Sequence, residues 1–189
     1  MPTTEKGRPR PAKMKRMAHT PPEVPSRVDM RLLSREDIRK MLLELADRIA
    51  PGDVTELLGH EKQLRRRIAG IDSPHLSLFR DQLVLALDCL RDHARGRCPQ
   101  IPYFTISLLA GALWYFVDEL DAVPDFLPGV GQLDDAVMVA MAFELGEDGL
   151  RRYCVWKSRP ADSLFGAAAA LRLRETAPHP SGRRSRRPV

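Results

Sequence analysis

Six carboxylates, Asp118, Glu119, Asp121, Asp125, Asp134 and Asp135, fall within 18 residues of a 189-residue chain. Oxygen ligands at that density suit a hard divalent cation, and two helices joined by this stretch would converge three of them on one Mg²⁺ or Ca²⁺ ion. Such a site would draw on Asp121, Asp125, Asp134 and Asp135. The spacing matches no EF-hand loop, the region has no His-rich zinc set, and no nucleophile or glycine-rich phosphate loop lies nearby. No catalytic residue is assigned, and no cofactor is expected beyond that possible Mg²⁺ or Ca²⁺.

Geometry offers a competing account of the same residues. In "LDAVPDFLPGVGQLDDA", residues 120 to 136, Asp121 and Asp125 can accept neighbouring backbone N–H groups in a tight turn, while Gly129 and Gly131 permit unusual backbone angles. Asp134 and Asp135 fall in the first turn of the following helix, whose positive end favours each by about 0.3–1 kcal/mol. Turn and cap chemistry therefore accounts for the residue types without a ligand.

The elements that position this turn read as helices throughout. Ser34 three residues before Asp37 forms a capping-box variant. Ile38, Met41, Leu42, Leu45 and Ile49 follow on one stripe, up to a stop at Pro51 and Gly52. Asp53 and Glu56 open a second helix over "VTELLGHEKQLRRRIAG", with "KQLRRR" mostly facing water. Ser73 and Pro74 open a third, carrying Leu76, Phe79, Leu83, Leu87 and Leu90 to about Asp92. No strand-like alternation or internal repeat appears.

Residues 101 to 117, "IPYFTISLLAGALWYFV", contain no charged side chain. A helix apolar nearly all round is either fully buried or in contact with lipid, and at about 25 Å it sits at the lower limit for spanning a membrane. Burial of Leu108, Leu109, Leu113 and Phe116 distinguishes the two. Ser107 and Gly111 form a small pair that would let another helix approach, and Trp114 with Tyr115 suits either a membrane interface or a core edge. A shorter apolar helix follows the turn, interrupted near Gly146 and continuing through "EDGLRRYCVWK". The expected fold is all-α: a single bundle of five to six helices around an apolar hairpin, spanning 31–158, with a peripheral helix over 159–175.

The tails differ in composition. Residues 1–27 carry a net charge of +5 and residues 176–189 a net +4, which leaves −4 for the rest of a chain whose total is +5. Both are poor in large apolar residues and rich in Pro or Arg, so residues 1–30 and 176–189 are expected to be disordered basic tails. Basicity belongs to the tails, and no basic groove on the folded body is implied. Cys89, Cys98 and Cys154 have no metal-binding spacing and read as reduced thiols. The five histidines, His19, His60, His75, His93 and His179, are too scattered to form a ligand set. No secretory signal is evident, which points to an intracellular protein.

The stretch "WYFVDELDAVPDFLPGVGQLDDAVMVA" resembles the signature of the YkvA-like family, a bacterial domain of unknown function. Tyr115, Asp121, Pro124, Asp125, Phe126, Pro128, Gly131, Leu133, Asp134, Asp135 and Ala136 match its pattern. The flanking "GRCPQIPYFTIS" and "RRYCVWK" extend the resemblance over roughly residues 75–157. Glu119 stands where the family usually has Pro, which lets the apolar helix run on. Gln132 replaces a usual Tyr and removes an aromatic anchor beside the paired aspartates. The resemblance implies an α-helical, often membrane-associated protein with no established activity.

These readings lead to a non-enzymatic helical scaffold or interaction module associated with the membrane face, with anionic lipid as the expected partner of the basic tails. A protein partner is the next reading. Nucleic acid ranks last, in the absence of interleaved aromatics or a helix-turn-helix, and no small-molecule substrate is identified. The alternative is a cytoplasmic soluble metal-binding protein or metal-dependent enzyme using the Asp-rich turn.

Overall fold

The computed structural model describes residues 33–98, 101–122 and 131–165. The described residues are all-α, with seven α-helices and no strand. They are α1 (Arg35–Arg48), α2 (Pro51–Gly59), α3 (Glu61–Ala69), α4 (Ser77–Ala94), α5 (Tyr103–Ala122), α6 (Gly131–Leu145) and α7 (Glu147–Trp156), with a 3-10 turn at Pro74–Leu76 before α4. The two basic tails lie outside the described residues.

Local signals set several boundaries. Ser34 caps α1: its hydroxyl accepts the Asp37 N–H at 3.1 Å while its own N–H donates to the Asp37 carboxylate at 3.0 Å. α1 ends at Arg48, as Pro51 requires, but Pro51 begins the next helix instead of only closing the first. Its missing N–H costs nothing at a first helical position, and Asp53, two residues on, accepts the Ala50 N–H at 2.7 Å. The helix expected to continue through residue 69 breaks at His60, giving α2 and α3; Gly59 is a weak helix former there, and the His60 N–H turns back to the Leu57 carbonyl. This division and the one at Gly146 raise the number of helices above the expected five to six.

α5 lies at the centre, packed on α1, α2, α4, α6 and α7. Every side chain from Thr105 to Phe116 is buried, Leu108, Leu109, Leu113 and Phe116 included. From Thr105 to Phe116 the charge-free run is thus enclosed by protein, and among the described residues no helix is long and apolar enough to cross a membrane. Trp114 and Tyr115 are core residues, 7% and 6% exposed, so the membrane-interface reading of that pair gives way to the core-edge one. α5 runs to Ala122, further than the charge-free run, consistent with Glu119 in place of a helix-breaking proline.

Small residues let α5 be surrounded this closely. α1 crosses it at Gly111, where an added Cβ would meet Leu45 Cγ at 3.3 Å and the Ala46 nitrogen at 3.6 Å. α7 lies against its first turns through Gly146 and Gly149, whose added Cβ atoms would stand 3.1 Å from Thr105 Cγ2 and 2.4 Å from Thr105 Oγ1 respectively. Of the segment 159–175, expected as a peripheral helix, the described part ends at residue 165 and holds a turn at 162–164. There Phe165 stacks on Phe143 with ring centroids 5.7 Å apart, and Gln82 donates to the Leu164 carbonyl at 3.0 Å.

Gly149→Ala should therefore destabilise the protein by about 1–3 kcal/mol in urea unfolding, because a methyl group has no room beside Thr105. Adding Thr105→Ala should recover part of that loss, a coupling expected of residues in contact. Gly59→Ala, whose Cβ meets nothing within 4 Å, should be neutral or slightly stabilising.

Candidate functional site

The Asp-rich signature divides at the boundary of the described residues. Tyr115 is buried on α5, Asp121 lies in the last turn of that helix, and Gly131 opens α6. Asp134 is half-buried and Asp135 is fully buried in the early part of α6, where the helix end favours negative charge. Pro124, Asp125, Phe126 and Pro128 lie outside the described residues. Among the described residues, no group of three or more His, Cys, Asp or Glu is placed to hold a metal ion.

The approach to this turn is braced from α3 and α4. Arg67 donates to the Phe116 carbonyl at 3.1 Å and stacks its guanidinium over the Phe116 ring at 4.4 Å, while Phe79 meets the same ring edge-on at 6.0 Å. Part of the "KQLRRR" run thus points into the fold: Lys62, Gln63 and Arg66 are exposed, whereas Arg65 and Arg67 reach inward.

Among the described residues the largest organised charge cluster lies on α4, and sequence reasoning missed it. Asp88 and Asp92, one turn apart, are both buried. Asp88 accepts from Arg65 at 2.7 Å, Arg91 at 2.9 Å and Arg159 at 2.8 Å. Glu61 joins Arg65 and Arg91 at 2.8 and 3.1 Å. Asp92 accepts from the Tyr153 hydroxyl at 2.9 Å and from Lys157 at 2.5 Å, with Arg97 at 3.8 Å. The band links α3, α4, α7 and the segments after α4 and α7.

Two helix ends direct cations onto these carboxylates. After α4, Gly96 adopts φ +65°, the Arg97 N–H returns to the Asp92 carbonyl at 2.9 Å and the Gly96 N–H to the His93 carbonyl at 2.8 Å, a Schellman turn. α7 ends the same way: Ser158 at φ +55°, Arg159 N–H to the Cys154 carbonyl at 2.9 Å, and Ser158 N–H to the Val155 carbonyl at 3.1 Å. A left-handed conformation costs a non-glycine residue about 1–2 kcal/mol. At Ser158 that cost accompanies a turn that carries Arg159 back to Asp88.

Electrostatics follow from this packing. Burial by itself would raise the Asp92 carboxyl, but hydrogen bonds from Lys157 and Tyr153 and the charges of Lys157 and Arg91 hold it below the ordinary carboxylate range. Burial and the bond to Asp92 push the Tyr153 hydroxyl up. The three cysteines are buried, and burial pushes the Cys89 and Cys154 thiols up, which makes them poor nucleophiles. Five cations against Glu61, Asp88 and Asp92 leave the band with an excess of two positive charges.

At the edge of this band the surface turns aromatic. Tyr103, Phe104, Val155 and Trp156 are the exposed large hydrophobic residues among those described, with 41%, 51%, 80% and 41% of their surface open. The sequence placed Tyr103 and Phe104 in the apolar run and drew no distinction between them and the buried residues that follow.

Comparisons with known proteins fall on the same region. The family described as "Protein of unknown function (DUF1232)" matches residues 105–141, from the first turn of α5 into α6. The uncharacterized membrane protein YkvA of Bacillus subtilis (strain 168) is 35% identical over 68 residues, which cover 36% of this chain and 64% of that protein. The chain thus spans slightly less than two thirds of that relative's length. The resemblance read from the Asp-rich signature stands, as a distant similarity to that protein and a match to that family. No solved structure matches.

The α4 band yields a signed pH dependence. A carboxyl held below its ordinary value contributes stability that is full above that value and is lost as pH falls through the lower, folded-state one. Unfolding free energy should therefore decline as pH drops below about 4. In Asp92→Asn the decline should be shallower, starting from a neutral-pH stability lower by about 1–3 kcal/mol, because the buried Tyr153 hydroxyl loses a charged acceptor. Denaturant titrations at several pH values measure both effects.

Proposed function

We propose that this chain is a non-enzymatic helical scaffold or interaction module that attaches peripherally to an anionic membrane surface. The observation that carries the reading is the enclosure of α5 by the other helices. With the most apolar helix used as core, attachment has to come from charge and from residues at the surface. The flanking segments supply charge of one sign, +5 over residues 1–27 and +4 over residues 176–189. Each basic side chain near an anionic leaflet contributes about 1 kcal/mol, so several acting together support reversible binding. The printed name of the Bacillus subtilis relative, a membrane protein, supports the same environment.

In this reading the apolar hairpin of α5 and α6 is the rigid centre of the module, and the Asp-rich turn serves helix ends and backbone N–H groups without a cofactor. Protein partners would be gathered at the membrane surface by a module of this kind.

Sedimentation of the purified full-length chain with phosphatidylcholine vesicles, with and without phosphatidylglycerol, tests the proposal. Binding should require the anionic lipid and weaken steeply as ionic strength rises, since exposed charges are screened beyond about 8 Å at physiological salt. Absence of binding to anionic vesicles at low salt would refute it.

A further inference from the structure

We propose that the end of the fold where α4 stops, α5 starts and α7 stops is the face that enters the membrane interface, with Tyr103, Phe104 and Trp156 dipping among the headgroups and the exposed Arg95, Arg97 and Arg152 meeting their phosphates. The inference rests on the membrane-surface reading above and assigns it a specific face.

The last turn of α4 brings the two aromatic segments to one end of the molecule. His93 lies beside Tyr103, ring centroids 6.4 Å apart. Its neighbour Asp92 binds Tyr153 and Lys157, and the Tyr153 ring stands 5.7 Å from Trp156. The exposed large hydrophobics among the described residues all belong to these segments, whereas the remaining large apolar side chains are buried or partly buried against the core. Tyr and Trp favour the boundary between headgroups and hydrocarbon, where an apolar ring and a polar edge are both accommodated.

Charge makes the face complementary to an anionic layer. The acids packed beneath it, Asp88, Asp92 and Glu61, are already engaged and are outnumbered by their cationic partners. Arg95 and Arg97 are exposed on the turn after α4, Arg152 is exposed on α7, and Lys157 lies over the Trp156 ring at 5.4 Å. Near the Tyr103 anchor, Asp53 is buried and accepts the Ala50 N–H at 2.7 Å, and Asp47, exposed near Ile49, is followed directly by Arg48. Long basic side chains on such a face can lay their apolar stems along the aromatics and keep their charges at phosphate level.

The anchors are also held in place before binding. The Tyr103 hydroxyl donates to the Ile49 carbonyl at 3.1 Å, and Trp156 leans on Tyr153, so little side-chain freedom is lost on docking. Rings projecting between cations fit a laterally uniform anionic layer better than the continuous, charge-depleted core of a protein interface.

The full chain, basic tails intact, is compared with Phe104→Ser/Trp156→Ser on vesicles of phosphatidylcholine and phosphatidylglycerol. The variant should bind more weakly by about tenfold or more while keeping the parent's circular dichroism. In the parent, brominated lipid should quench tryptophan emission, and the quenching should disappear in Trp156→Phe, because Trp114 remains buried in the core. Parent and variant binding equally, with no quenching, would overturn the assigned face and leave tail-driven membrane attachment standing. Failure of the parent to bind anionic vesicles would remove both. Self-association that is lost in the variant, together with vesicle binding unchanged by the mutations, would make the face a protein contact and overturn the inference.

Discussion

A helix with no charged face must be covered on every side, and the rest of this fold follows from how α5 meets that requirement. Its stretch from Thr105 to Phe116 is buried throughout. One amphipathic helix cannot enclose such a rod, so α1, α2, α4, α6 and α7 each contribute a side. Close approach then demands small residues at the crossings: Gly111 under α1, and Gly146 and Gly149 over Thr105. Burying the apolar side chains of this rod provides the main driving force, at about 25 cal/mol per Å² of apolar surface.

Covering α5 also forces charge inward. α4 packs against α2, α3, α5 and α6, which leaves Asp88 and Asp92 without access to water on their own helix. An isolated buried carboxylate is costly, and here each is met by basic groups from α3, from α4, and from the chain just beyond α4 and α7. The Schellman turns at Gly96 and Ser158 carry two of those groups, Arg97 and Arg159, back to the carboxylates. The same geometry leaves Tyr103, Phe104 and Trp156 outside the core at one end, beside an excess of positive charge.

What was legible in the sequence was local or compositional. The Ser34–Asp37 capping box needs only three residues of separation, and the burial of 105–116 was one of two outcomes set by a charge-free run. The break at His60 was not legible, because Gly59 alone is a weak signal and no proline marks the site. Nor was the α4 band: in "LALDCLRD" the two aspartates look like the solvent side of an amphipathic helix. Their partners Arg65, Tyr153, Lys157 and Arg159 lie 23 to 71 residues away. Of the Asp-rich signature, Tyr115 and Asp121 fall on α5 and Gly131, Asp134 and Asp135 on α6, with Tyr115 and Asp135 in the interior. Pro124, Asp125, Phe126 and Pro128 of the same signature lie outside the described residues.

Enclosure by protein makes α5 a core helix, and the membrane contact proposed above is then confined to the surface of the fold. Hydrogen–deuterium exchange on the full chain in detergent-free buffer tests it most directly. Amides of α5 from Ile106 to Phe116 should exchange only through global unfolding, at a rate that added anionic vesicles leave unchanged apart from any overall stabilisation. Rapid exchange of those amides in buffer, with protection appearing only when vesicles are present, would contradict it.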